Sequence, residues 1–405
     1  MPKNMIVCCD GTANEFKKDR TNVVKLFFCL VKDPGLQATY YHPGVGTMAP
    51  PGVITKAGAL LTETAGLAFG YGLSNDIKDA YVYIANNFEE GDRLFLFGFS
   101  RGAYTVRAVA ALLHMYGLLP KGNEPLVRYA VRMLWAIHGL QKRHKNDAAP
   151  DPRVDEYFEL AREFKATLSG VCKPHFVGVW DTVSSVGWFA NPLSLPYTST
   201  NPDIEIGRHA VAIDEHRAFF RTNLWHPSAN IESAGPKDMK QVWFAGVHSD
   251  VGGGYPESES GLSKIALKWM IDEARAAKLA LDDEKVELVL GNRGQGFAPA
   301  NADAKLHESL TRWWYPAEYV LKPHWNGSTT EWRANHFARR TWPARPCVHD
   351  SVWERESGKY ATRLPADAVR LSEADHERAV LNASLASEAN AGGCGAAHVT
   401  SGHSV

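Results

Sequence analysis

The chain has 405 residues, a formal net charge of -1, and 45% hydrophobic and 11% aromatic residues. That balance excludes a disordered polyelectrolyte, and it excludes generic phosphate-backbone binding, since no basic stripe with interleaved aromatics occurs. The length would hold roughly two or three average domains, although α/β enzymes often run this long as one.

The cysteines, at 8, 9, 29, 172, 347 and 394, show no CxxC pair, as expected of core thiols in a chain made in a reducing compartment. Cys8 and Cys9 fall inside a predicted strand, so burial is their expected role. The first residues, MPKNMIVCCDGT, lack the apolar core of a signal peptide, and no run of 18 or more apolar residues occurs. The expectation is a protein cytoplasmic when made, which leaves the cell, if it does, by a signal-independent route.

In chain order, MIVCCD reads as a first strand, stopped by the turn residues of DGTAN. NVVKLFFCLVK has helical spacing, and ATYYHPGVGT reads as a second strand ending in a Pro/Gly turn. Residues 50–73 are apolar and Gly-rich, which predicts a packed loop with a short buried helix; the alternative is a mobile flap beside a lipid-accepting cleft. NDIKDAYVYIANNF is an amphipathic helix with Asn75 as N-cap. RLFLFGF is a β-former run behind the turn EEGD, and the next stretch places Ala103, Val106, Val109, Ala110 and Leu113 at helical spacing. Strand, helix, strand, helix in alternation implies a parallel sheet with right-handed crossovers.

Residues 125–168 hold two helical stretches joined by NDAAPDP, which look like an inserted cap. HFVGVWDTVSSVG and QVWFAGVHSDVGGGY are the next strong strands, with a helix-like GRHAVAIDEHRAFF between them. LSKIALKWMIDEARAAKL is a clear helix; residues 282–365 are rich in Trp, Arg and Pro with little periodicity. The expected organisation is a single α/β domain over residues 1–383, with a helical insertion at about 120–170 and a small, polar, disordered tail at 384–405.

Between RLFLFGF and the helix after it stands GFSRG. G-x-S-x-G on a strand-to-helix bend is a nucleophile elbow: Ser100 is exposed on a tight turn, and Gly98 and Gly102 are small because side chains there would collide with neighbouring elements. A serine hydroxyl is a weak nucleophile, so it needs a base, and the base needs an orienting carboxylate. In α/β-hydrolases the order is Ser, Asp or Glu, then His, each at the carboxyl end of a strand. Asp181 ends HFVGVW and His248 ends VWFAGV, so the order is present. Asp250 fits a turn ahead of Gly-Gly-Gly better than the acid role, Asp214 is a weaker third candidate, and His209 and His216 read as structural or supporting.

The oxyanion needs two backbone donors. The N–H of Arg101, following the nucleophile, is the first; the loop CDGTAN offers the second, with Asp10 and Gly11 shaping it and Thr12 presenting its N–H. No HExxH or EF-hand spacing occurs, and the Gly-rich GVGT and DVGGGY do not continue as phosphate loops, so no metal or other cofactor is expected.

CDGTAN, HPGVGT, GYGLSNDIKDAY, FLFGFSRGAYTVRA, FVGVWDTVSSVG, HAVAIDEHRAFF, VWFAGVHSDVGGGYP and LHESL together resemble a bacterial and fungal α/β-hydrolase domain family that includes the first class of type VI secretion phospholipase effectors. The resemblance implies an α/β-hydrolase fold, a Ser-Asp-His triad at Ser100, Asp181 and His248, and, in the lipase members, cleavage of glycerophospholipid acyl esters. Phospholipase A activity at a transient membrane surface, with a secretion-system or immunity protein as partner, is the expectation that follows. An esterase or depolymerase acting on another ester, or a non-catalytic binding module on the same fold, are the alternatives.

Overall fold

The computed structural model describes residues 2–11, 19–44, 63–143, 151–183, 193–218, 220–226, 235–294, 296–325 and 330–375. Its strands are Asn4–Cys9 (β1), Gln37–His42 (β2), Arg93–Phe99 (β3), Pro174–Trp180 (β4), Ile206–Ala212 (β5), Asp238–Phe244 (β6), Lys322–Trp325 (β7), Thr330–Arg333 (β8), Cys347–Val348 (β9) and Val369–Arg370 (β10). Eight form one sheet in the order β10-β9-β6-β5-β4-β3-β1-β2, parallel at every pairing. The other two, β7 and β8, make an antiparallel hairpin.

Helices Asn22–Cys29 (α1), Glu63–Asn87 (α2), Arg101–Tyr116 (α3), Glu124–Arg143 (α4), Pro152–Leu168 (α5), His248–Gly252 (α6), Gly261–Ala276 (α7) and Asp283–Val289 (α8) flank the sheet. This is an α/β-hydrolase-like fold. Alternation along β1 explains the two layers: Met5, Val7 and Cys9 join α2 to α5 in one apolar cluster, while Ile6 and Cys8 face the other way, into the cluster of α1, α7 and α8. Covered on both sides, the central strands carry near-continuous apolar runs. Cys8 and Cys9 are buried core thiols, with burial pushing both up from their ordinary value. The helical insertion, α4 and α5, packs against α2 and α3.

The strand order reverses at β1, whose neighbours are β2 on one side and β3 on the other. Such a switch point opens a crevice at the carboxyl ends of the strands. The elbow lies at the end of β3, beside that crevice.

Two expectations are corrected here. Asn75 lies within α2, which starts at Glu63, and is not an N-cap. Leu73, Ile77, Ala80, Tyr81 and Ile84 form one buried stripe that runs past Asn75, so tertiary packing carries the helix through it. The stretch around His209 is β5 rather than a helix; a short apolar run shows both periodicities, and its place between β4 and β6 decides. Much of the Gly-rich stretch at 50–73, and the tail at 384–405, lie outside the described residues. Among the described residues no helix is long and apolar enough to cross a membrane.

Candidate active site

Ser100 links β3 to α3 with φ 58° and ψ −120°, a conformation that costs a non-glycine residue about 1–3 kcal/mol. The turn is held from both sides: Ser100 N donates to Trp180 O at 3.1 Å, and Ser100 O accepts from Tyr104 N at 3.3 Å and Val183 N at 3.4 Å. The flanking glycines are required by contact. A Cβ on Gly98 would stand 2.5 Å from Gly102 O, and one on Gly102 would stand 2.2 Å from Cys9 O and 2.4 Å from Asp10 O. A side chain at either position would push the helix off the strands.

Asp181, directly after β4, also has positive φ, at 37°, and is fully buried. His248 opens α6, beyond β6, and its Nδ1 lies 2.6 Å from Asp181 Oδ2. A carboxylate only accepts, so Nδ1 carries the proton, and in the neutral ring Nε2 keeps a lone pair. The imidazole is sandwiched between the Phe99 ring at 4.6 Å and the Phe220 ring at 4.8 Å, which brings it beside the residue preceding Ser100. Burial pushes His248 below its ordinary value against the pull of Asp181, so the ring is neutral at neutral pH. Burial alone would raise Asp181, but the Arg340 guanidinium and His248 together hold its carboxyl well below the usual range.

At the end of β1, Asp10 accepts from Gly11 N at 2.7 Å, Thr21 Oγ1 at 2.6 Å and the Tyr41 hydroxyl at 2.9 Å. The Asp10 and Cys9 carbonyls abut Gly102, so the loop and the elbow are in direct contact. Thr12 lies outside the described residues. Arg101 is the first residue of α3; burial lowers its guanidinium to about 10 while Asp76 opposes that.

The rival acids have other partners. Asp250 accepts from Val247 N and His307 N at 3.1 Å each and pairs with His307 Nδ1 at 2.6 Å, closing the turn that carries His248. Asp214 accepts from Gly246 N at 2.8 Å and from the Tyr360 hydroxyl. His209, driven down to about 3 chiefly by burial, accepts from Thr182 N through Nε2 and so pins the residue after Asp181. His216 bonds the Asp214 carbonyl through Nδ1 at 2.8 Å. Among the described residues no group of three or more His, Cys, Asp or Glu is arranged to hold a metal ion.

Two further residues at the site carry no signal that motif spacing could expose. Arg340 forks onto Asp181, NH1 to Oδ1 at 2.6 Å and NH2 to Oδ2 at 3.0 Å, from a segment without periodicity. Glu215, fully buried, accepts from His248 N at 3.3 Å and from Arg217; despite burial, Arg217 holds it down at about 2. Glu215 follows β5, and strand-end logic reaches it once that segment is recognised as a strand.

A family model described as the catalytic domain of Tle1-like type VI secretion phospholipase effectors matches residues 3–273, more than half of the chain. The chain is 36% identical over 233 residues to an uncharacterized protein of Saccharomyces cerevisiae, YEL023C, covering 56% of this chain and 33% of that one. Among solved structures, it is similar to an uncharacterized protein from Pseudomonas aeruginosa, at 20% identity and TM-score 0.42, over 70% of this chain and 47% of that one. It is also similar to a Tle1 effector bound to the VgrG spike of the type 6 secretion system, at 16% identity and TM-score 0.28, over 64% of this chain and 52% of that one. The chain thus spans about a third of the yeast relative and about half of each solved chain.

Proposed function

The chain belongs to the family of Tle1-like type VI secretion phospholipase effector catalytic domains, and on that premise we propose that it is a serine hydrolase of carboxylic esters, a phospholipase A. The observation that carries the proposal is the buried Asp181–His248 pair, at 2.6 Å, beside a strained serine elbow. In this mechanism His248 Nε2 takes the Ser100 proton as the serine oxygen attacks the ester carbonyl. The tetrahedral oxyanion rests on the N–H groups of Arg101 and Thr12. Collapse breaks the ester bond, and the lysolipid alcohol leaves with the proton from His248. Water, deprotonated by the same nitrogen, then cleaves the acyl-enzyme, releasing a fatty acid and restoring Ser100.

The surface around the site supports a lipid substrate. Phe220, whose ring packs on His248, also meets the Trp314 ring at 5.7 Å, and the stretch that follows Trp314 in sequence exposes Tyr315, Tyr319, Val320, Leu321 and Trp332. Arg312, Arg333 and Arg339 are exposed near them in sequence. Tyr and Trp among basic residues suit the headgroup region of a bilayer, which fits a transient membrane contact. The family description supports delivery by a type VI secretion apparatus as the route to that membrane.

Fatty-acid release from vesicles of a mixed-chain phospholipid, with Ser100→Ala protein as the blank, tests the proposal. Release by the wild type alone supports a phospholipase A, and the chain released names the bond. No release, with turnover of soluble esters, moves the substrate to the esterase alternative.

A further inference from the structure

Beyond the residues matched by the family model, the C-terminal segment reaches back to the carboxylates crowding the sheet ends. His307 pairs with Asp250, the Ser309 hydroxyl bonds Glu215 at 3.0 Å, the Tyr360 hydroxyl bonds Asp214, and Arg340 bonds Asp181. Of these contacts, that of Arg340 is the one made to the carboxylate paired with the His248 ring. Resting on the serine-hydrolase proposal above, we propose that Arg340 is a positioning residue of the Ser100, His248, Asp181 relay, holding the Asp181 carboxylate charged and fixed in orientation against His248 Nδ1.

A carboxylate fully removed from water prefers to take up a proton unless a charge partner compensates it, and the protonated acid donates where it must accept. Arg340 supplies that partner with little solvent screening, its side chain only 6% exposed. Its other bonds fix the fork: NH1 donates to Ala212 O at 3.0 Å and NH2 to Phe220 O at 2.7 Å. Ala212 N in turn donates to Asp181 Oδ1 at 2.9 Å, so each carboxylate oxygen is held by two donors once His248 Nδ1 is counted. Phe220 is also the residue whose ring walls His248, so one guanidinium sets both the acid and one face of the base. A lysine at 340 would carry the charge without the planar fork.

The arginine also shapes the potential at the imidazole. The groups facing the pair are Asp181, Glu215, Arg217 and Arg340, with neutral His209 behind Thr182 and the rings of Phe99 and Phe220. Without Arg340, two buried carboxylates face Arg217 alone. The imidazolium is then favoured to higher pH, and less neutral base is present at neutral pH.

The test is the pH profile of kcat and KM for the full chain on a water-soluble short-chain ester, comparing wild type, Arg340→Met and Arg340→Lys, with Ser100→Ala as blank. For Arg340→Met we expect kcat down by about 30-fold to 100-fold, KM within about threefold of wild type, and the acid limb moved up by about one pH unit. Arg340→Lys should recover part of kcat, with its acid limb close to wild type. Wild-type kcat and an unshifted limb in either variant would overturn the proposal, as would a methionine variant that loses only thermal stability. If Arg340→Met does not fold, Arg340→Lys decides: lowered kcat at unchanged KM supports the role, and wild-type kcat removes it. Absence of Ser100-dependent turnover in the wild type would take down the relay itself, whereas turnover with a wild-type-like lysine variant would remove Arg340 alone.

Discussion

Replacing Asp181 by Asn changes one atom and leaves the volume almost unaltered, so its effects report on charge and proton placement. Four donors converge on the carboxylate: Ala212 N and Arg340 NH1 on Oδ1, Arg340 NH2 and His248 Nδ1 on Oδ2. Whichever way the amide is turned, its NH2 meets a donor from Arg340. With NH2 at the Oδ2 position, His248 must accept through Nδ1, which puts its proton on Nε2, where the serine proton has to go. The wrong tautomer costs about 10⁴ in kcat. Leaving a buried guanidinium with a neutral partner costs about 3 kcal/mol, or roughly 6 °C in Tm at ~2 °C per kcal/mol for a chain this size. The assay is ester turnover paired with thermal unfolding. Asp250→Asn is the control: Asp250 bonds Val247 and His307, so its loss should lower kcat by less than about tenfold. Activity of Asp181→Asn within tenfold of wild type, or a reversal of the two variants, would refute the reasoning and move the acid to Asp250.

Gly102→Ala forces a methyl against the backbone of β1, at 2.2 Å from Cys9 O. Overpacking of this kind costs about 1–3 kcal/mol, and kcat should fall at least about tenfold as the loop of Asp10 and Gly11 is displaced from the elbow. Wild-type Tm and kcat in that variant would show that the glycine is dispensable. The urea midpoint should decline as pH falls from about 6.5. His209, held at about 3, and His349, held at about 4, both chiefly by burial, are depressed below their unfolded value, so their stabilisation is present above pH ~6.5 and is lost as the pH drops toward their folded values. His42, His226 and His248 are depressed in the same sense, whereas Asp76, raised to about 7, and Asp250 act oppositely. By about pH 5 His209 and His349 each lose about 2 kcal/mol while Asp76 returns about 2 kcal/mol, a net loss of about 2 kcal/mol from these three; a flat midpoint across that range would contradict it.

The elbow and the parallel core were legible because both are local: GFSRG needs only the strand before it and the helix after it, and β1, β3 and β4 are mostly apolar runs while β6 ends in one. Asp181 and His248 followed because strand ends in a parallel sheet share one edge. The stretch around His209 reads as helical because the seven residues of β5 carry both periodicities, and without β5 there is no strand end for Glu215 to follow; the supporting place expected of His209 itself agrees with its bond to Thr182. Arg340 had no local signature: 159 residues separate it from Asp181, and its segment has no element of its own to predict. Asn75 showed the converse, a good capping residue overruled by the buried stripe of α2.

The most direct measurement of the central claim is mass spectrometry of the protein after treatment with a fluorophosphonate. A single adduct on Ser100, lost in His248→Ala and slowed in Asp181→Asn, is the predicted result. An unmodified Ser100 in folded wild-type protein, or equal labelling of all three, would contradict it.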